Sequence, residues 1–232
     1  MNRVLALLLL SSTPALAQQA AELPGDPAHW FAEKEAAGAT RAPDLAALAG
    51  EAFDRARWST TTQGCKTLTR VEPYGLQPAT ADRLVSEGLK AGAFVGAWTF
   101  YARTDCAETP LLRYLYIAES DGRNLLIVVN RGEAIATPSQ MRETSRAAAK
   151  AAYDLARKDA PGCEVKSVAM RQTRIASADG NLSPMRFGTR FAGGWSEDWD
   201  FVACGRKATV TVRFDADGKG GAAFRVLDVS IS

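Results

Sequence analysis

Residues 193–205 read GGWSEDWDFVACG, which places two tryptophans, three acids and a cysteine within thirteen positions. In an extended strand alternate side chains share a face. Trp195, Glu197, Trp199, Phe201 and Ala203 then form one face, and Ser196, Asp198, Asp200, Val202 and Cys204 the other. The aromatic row suits the underside of a helix, and the Ser/Asp/Asp row suits water. The stretch therefore predicts a strand of an antiparallel sheet covered on one face.

A weaker copy of the same pattern lies upstream. Cys65 and Cys106 are 41 residues apart, as are Cys163 and Cys204. Gly-Cys occurs at 64–65 and again at 162–163, and GAW at 96–98 answers GGW at 193–195. Each second cysteine precedes a strand, an Asp-Gly turn and another strand. Each first cysteine follows a helical pattern, APDLAALAGEAFDRAR in one copy and TPSQMRETSRAAAKAAYDLARKD in the other. Five features in the same order predict an α+β chain of two tandem related units, residues 43–130 and 138–232. Each unit is expected to pack a helix on an antiparallel sheet of four to five strands. Two copies are too few for a solenoid, which needs more repeats to bury a continuous core.

The second unit shows the plan more clearly. Thr137-Pro138-Ser139-Gln140 predicts a helix start, with Thr137 as N-cap, Pro138 at the first helical position and Gln140 closing a capping box. Met141, Ala148, Ala152 and Leu155 recur at helical spacing, and Ala160-Pro161-Gly162 ends the run. Strands are expected near 164–176, 185–191, 194–204, 207–215 and 221–230. The first helix would use Leu45, Leu48, Ala52, Phe53 and Ala56, whereas TADRLVSEGLKAG at 80–92 reads equally as strand or helix. The spacing from tryptophan to second cysteine is one residue longer in the second copy, which predicts a β-bulge within 193–205.

The chain opens with Arg3, an apolar run from Val4 to Leu10 and an Ala15-Leu16-Ala17 cleavage signal, so residues 1–17 are expected to be a secretory signal peptide. No cysteine follows that signal, so no lipid anchor is expected, and no further run is long enough for a transmembrane segment. Residues 18–42 form an N-terminal segment in which AHWFAEKEAAG suits a short helix. An exported chain meets an oxidising compartment, where four cysteines (Cys65, Cys106, Cys163 and Cys204) read as two disulfides. The repeat favours Cys65–Cys106 and Cys163–Cys204. The expected location is the periplasm or the medium.

Composition narrows the chemistry. A formal net charge of +2 without a basic cluster excludes nucleic acid as a partner, since phosphate binding needs several cations on one face. The single histidine, His29, lies outside both units, which removes Ser-His-Asp catalysis and multi-histidine metal sites from the folded part. No cofactor and no metal are expected. DADGKGG at 215–221 begins like a calcium loop, but Lys219 and Val226 stand where ligands are required, so it reads as a hairpin turn.

Glu197 breaks the aromatic row, and a buried carboxylate without a partner is costly. Arg186 and Arg190 are the candidate partners. Otherwise Glu197 lines an opening, with Trp195 and Trp98 as candidate binding residues beside it. Phe100 occupies its place in the first copy, so the tryptophans repeat and the acid does not. The stretch W-x-E-x-W-x-x-x-x-C-G with the following DADGKGG and strand, Trp195 to Ser230, resembles the ends of uncharacterised secreted proteins of proteobacteria. That resemblance implies an exported α+β protein and no particular activity. The expected function is non-enzymatic binding of a protein or envelope component. The alternative is a carbohydrate-active hydrolase using Glu197 and a second acid.

Overall fold

The computed structural model describes Ala36, residues 42–61 and residues 68–232. The expected signal peptide, Cys65 and nearly all of the expected helix in 18–42 lie outside the described residues. The first unit runs α1 (Leu45–Thr61), β1 (Val71–Pro78), α2 (Arg83–Lys90), β2 (Phe94–Thr104), β3 (Leu111–Glu119) and β4 (Asn124–Arg131). The second runs α3 (Pro138–Asp159), β5 (Val168–Ala178), β6 (Gly194–Ala203), β7 (Arg206–Ala216) and β8 (Ala222–Ile231). Each unit is a helix followed by a four-stranded antiparallel meander, with strand orders β1-β2-β3-β4 and β5-β6-β7-β8. The protein is thus α+β, with two tandem units built on one plan.

Helix α3 begins as its sequence dictates. Thr137 caps Gln140 N, the Gln140 side chain returns to Thr137 N, and Pro138 occupies the first turn. Its buried stripe of Met141, Ala148, Ala152 and Ala156 packs on Trp195, Trp199, Phe201, Val210 and Phe214. The alanines let the helix approach while the aromatics fill the space. In the first unit Leu48, Ala52 and Ala56 of α1 meet Trp98, Phe100, Leu112 and Tyr114. The Tyr114 hydroxyl donates to Ala52 O at 2.9 Å.

The units differ between their first two strands. Residues 80–92 contain a helix, α2, whose Val85 joins Ala79, Ala97, Leu115 and Ile117 in a second core on the other face of the first sheet. The strand expected at 185–191 is absent. Arg186 and Thr189 close a tight turn on each other, with Phe187 (φ 51°) and Gly188 (φ 85°) in left-handed conformation at its tip. The backbone groups of this loop are used within the turn and against the first unit, where Ala81 N donates to Phe187 O at 3.2 Å. A seven-residue alternation was too short to distinguish a strand from such a bracket.

The expected bulge in 193–205 is also absent. β6 pairs with β7 without a register shift from Gly194↔Asp215 to Ala203↔Arg206. The extra residue is absorbed by the turn, because Cys204 (φ 57°) and Gly205 (φ 78°) form a two-residue connection with both positions left-handed. That is the geometry which matches the twist of paired strands. The bulges lie on β5, where Arg171 and Ala176 are the unmatched residues opposite β6.

Cys163 and Cys204 form a disulfide, with Cα atoms 5.5 Å apart, that ties the segment after α3 to the β6–β7 turn. Cys106 is also disulfide-bonded. Its expected partner, Cys65, lies outside the described residues. No helix among the described residues is long and apolar enough to cross a membrane. Closing a loop of this length stabilises the fold by about 4 kcal/mol through the unfolded chain. Replacing Cys163 and Cys204 together by serine is therefore expected to lower the unfolding free energy by up to that amount in urea titrations, and an unchanged midpoint would refute the assignment.

Candidate functional site

The inward face of β6 carries Trp195, Glu197, Trp199, Phe201 and Ala203, all buried. Trp195 and Glu197 are 0% exposed and Trp98, in the other unit, 1%. None of the three offers a surface to a ligand. Trp195 stacks on Phe214 with ring centroids 5.2 Å apart, and Trp98 lies 5.9 Å from Tyr116.

Glu197 is met by four N–H donors and by neither expected arginine. Ile135 N and Ala136 N each donate to Oε1 at 2.7 Å. The indole of Trp195 donates to Oε1 at 3.0 Å and that of Trp199 to Oε2 at 2.9 Å. Arg190 donates instead to Ser183 O, and the Arg186 guanidinium lies 5.8 Å from the Phe187 ring centroid. The two tryptophans flank the acid at two-residue spacing on one strand face, so both indoles reach the carboxyl group they enclose. Burial pushes the Glu197 carboxyl above the ordinary glutamate range, against the opposing pull of the four donors.

The segment that Glu197 grips is the connection between the units. Ala134, Ile135, Ala136 and Thr137 are all buried. The carbonyls of Ala134 and Ala136 face a buried guanidinium, that of Arg113 in β3, which is 2% exposed. Arg113 Nη1 donates to Ala136 O at 2.7 Å, and the Tyr101 hydroxyl donates to Ala134 O at 2.9 Å. Just before this segment β4 and β5 touch through a parallel bridge, Gly132↔Thr173. A Cβ on Gly132 would lie 2.1 Å from Thr173 O, so only glycine permits that approach. Asn130 Nδ2 donates to Thr173 Oγ1 at 3.0 Å, which in turn donates to Glu133 O at 2.9 Å.

A third buried residue, Asp82, serves two helices at once. Its Oδ1 accepts from Leu84 N and Val85 N at the start of α2, at 3.1 and 3.3 Å. It also accepts from Ser139 Oγ at 2.6 Å, and its Oδ2 accepts from Ser139 N at 2.8 Å at the start of α3. Both helix N-termini present their positive ends to one carboxylate. Arg113, Asp82 and Asn130 were not singled out from the sequence. Arg113 carried the same signal as Glu197, a charge in an apolar row, here Leu111, Leu115 and Ile117.

The acids on the opposite face of β6 are committed to an exposed polar ladder. Arg174 bridges Asp198 and Asp200 at 3.0 and 2.9 Å, while Thr211 and Thr209 donate to them from β7. For Asp200 burial acts upward, but hydrogen bonds from Gln172, Thr209 and Arg174 outweigh it and hold the carboxyl below the usual aspartate range. These acids are separated from Glu197 by the sheet itself. A glycosidase needs two carboxyl groups facing one bond across a cleft, so the hydrolase reading loses both its acid and its geometry. In the β7–β8 turn Asp217 Oδ1 accepts from Lys219 N and Gly221 N at 2.7 and 2.9 Å, closing the hairpin with its own backbone. Among the described residues no group of His, Cys, Asp or Glu is arranged to hold a metal ion. No family model, curated protein or solved structure matches the chain.

Glu197→Gln keeps the shape but turns an NH2 toward one of the donors. Leaving a buried donor unsatisfied costs about 1–3 kcal/mol, and the variant is expected to lose that much at neutral pH. Because the folded carboxyl value is raised above the unfolded value of about 4.3, its contribution relative to Gln is complete below that value and lost as pH rises through the folded one. The deficit of Glu197→Gln should therefore narrow with rising pH. Urea midpoints of both proteins across the acid-to-neutral range would show it, and a widening gap would refute it. Asp82→Ala removes caps from two helices at once and is expected to cost about 2–3 kcal/mol, more than a single N-cap. Thermal melts would test this, and a loss no larger than that of an exposed cap would contradict the double role.

Proposed function

We propose that this protein is exported to the periplasm or the medium and acts by binding a protein or envelope component, without chemistry of its own. The observation that carries this reading is the enclosure of Glu197. The residue that looked most like a catalytic acid is sealed at 0% exposure and bound to the backbone that joins the two units. The W-x-E-x-W spacing that resembles secreted proteobacterial proteins then has a structural meaning, since it builds a carboxyl group flanked by two indole donors. The Cys163–Cys204 disulfide and the bonded state of Cys106 support an oxidising compartment.

The test is to express the full chain with a C-terminal tag in a bacterial host and fractionate the cells. The expected product has lost residues 1–17, carries no free thiol and leaves the cytoplasm. Photo-cross-linking of that product in intact cells should then trap one defined envelope component. A reduced, uncleaved cytoplasmic protein would overturn the export. A glycan-hydrolysing activity that Glu197→Gln abolishes without unfolding would overturn the binding role.

A further inference from the structure

Each sheet ends in two outer strands, and three of these four are blunted or partly occupied as edges. β1 carries Pro73 and Pro78, with a register shift between Tyr74 and Gln77. Proline lacks the N–H that an added strand would need. β4 and β5 approach each other through the Gly132↔Thr173 bridge, and β5 is broken by two bulges. β8, AAFRVLDVSI, is different. It has ten residues without proline or lysine, and among the described residues it pairs with β7 alone. Phe224 is 37% and Leu227 56% exposed on it. A long apolar edge of this kind is a template for a further strand.

The single irregularity of β8 decides which strand fits. Its register passes from Thr211↔Asp228 to Val212↔Val226, so Leu227 is the unmatched residue. Arg225 and Asp228, three positions apart, thereby share the polar outer face, opposite Arg213 and Thr211 of β7. Phe224, Val226 and Val229 share the helix-covered face, opposite Phe214, Val212 and Val210. Turned end for end about Val226, with Leu227 left out of the count, the strand matches itself. Val226 then opposes Val226 of a second copy, Arg225 opposes Asp228, Phe224 opposes Val229, and Ala222 opposes Ile231. Each of these pairs lies on one face, as antiparallel pairing requires.

The charges match as well. Among the described residues Asp228 forms no hydrogen bond or ion pair, since Thr211 beside it donates to Asp198 instead. Arg225 is exposed and donates from Nη2 to Asp215 Oδ2 at 3.0 Å, which leaves Nε and Nη1 for a second carboxylate. Self-pairing sets two Arg225–Asp228 pairs symmetrically about the axis, and opposite charges directly across a ladder stabilise it.

We propose that the protein forms a two-fold dimer in which β8 pairs antiparallel with β8 of a second copy, joining two four-stranded sheets into one. This concerns how the chain assembles and stands apart from what the exported protein binds.

Sedimentation velocity of the purified protein over a range of concentrations is expected to show passage from monomer to dimer. Arg225→Asp and Asp228→Arg each place like charges at both cross-strand positions, so each variant alone should dimerise at least about tenfold more weakly. Mixed in equal amounts, the two variants bring opposite charges together again at both positions. A heterodimer with affinity near that of the unaltered protein should then form, a recovery that a merely structural defect would not show. Melting temperatures should change little, because both side chains are exposed. A chain that stays monomeric throughout, a dimer that both variants retain, or a loss that mixing does not restore overturns the pairing. A monomer whose outward β8 amides are already protected from hydrogen exchange overturns it too, because another segment then covers the edge.

Discussion

A buried carboxyl group and a buried guanidinium grip one buried peptide segment, and the rest of the molecule is arranged around them. Glu197 takes the amides of Ile135 and Ala136, while Arg113 donates to the carbonyl of Ala136. The two side chains form no ion pair with each other, and both are removed from water. A lone buried carboxylate or guanidinium would be prohibitive, but here each is solvated by fixed dipoles, with peptides polarised between them. Removing either would leave the other facing a backbone with half its partners. The interaction therefore works as a unit and sets where the second helix begins, since Thr137, the cap of α3, follows the gripped segment directly.

This buries residues Ala134 to Thr137 of the junction as deeply as the cores of the units. Linkers between domains usually run exposed and leave relative motion as the default. Here the connection is buried, Gly132 brings β4 against β5, and Asp82 joins the starts of α2 and α3. The clamp belongs to the junction and not to the plan the two units share. In the first unit the place of Glu197 is held by Phe100, whose ring stacks on Tyr114 at 5.0 Å and fills an ordinary core. The two units thus share a packing scheme of tryptophan, helix and four-stranded antiparallel sheet, while the polar residues that distinguish them mark where one unit meets the other.

Much of this was legible in the sequence because it was written in side chains. The Thr137–Gln140 capping box, the Met141, Ala148 and Ala152 positions of the α3 stripe and the alternating faces of β6 follow from local spacing, and the structure has them, although Ala156 takes the place on the stripe expected for Leu155. Two of the partners of Glu197, the amides of Ile135 and Ala136, could not be read in the same way. Backbone amides have no letter, so a search for complementary charge went to Arg186 and Arg190 instead. The 185–191 loop was misread for a related reason. Its turn depends on Phe187 adopting a left-handed conformation, which a bulky residue rarely signals, and on contacts with Ala81 more than a hundred positions away. The one-residue excess before Cys204 was real, but a two-residue turn absorbed it, and the bulges moved to the partner strand β5.

That displacement has a physical consequence. β6 lies between β5 and β7, and its face must stay in register for Trp195, Glu197 and Trp199 to converge on the linker. A bulge within β6 would have turned part of that face outward, since each one-residue slip reverses the side chains beyond it. β5 is the outer strand of its sheet and tolerates extra residues, because only one neighbour must be matched. Irregularity was therefore pushed to the strand where it costs least. One of the residues it released, Arg171, now lines a pocket together with Glu108 of the β2–β3 loop.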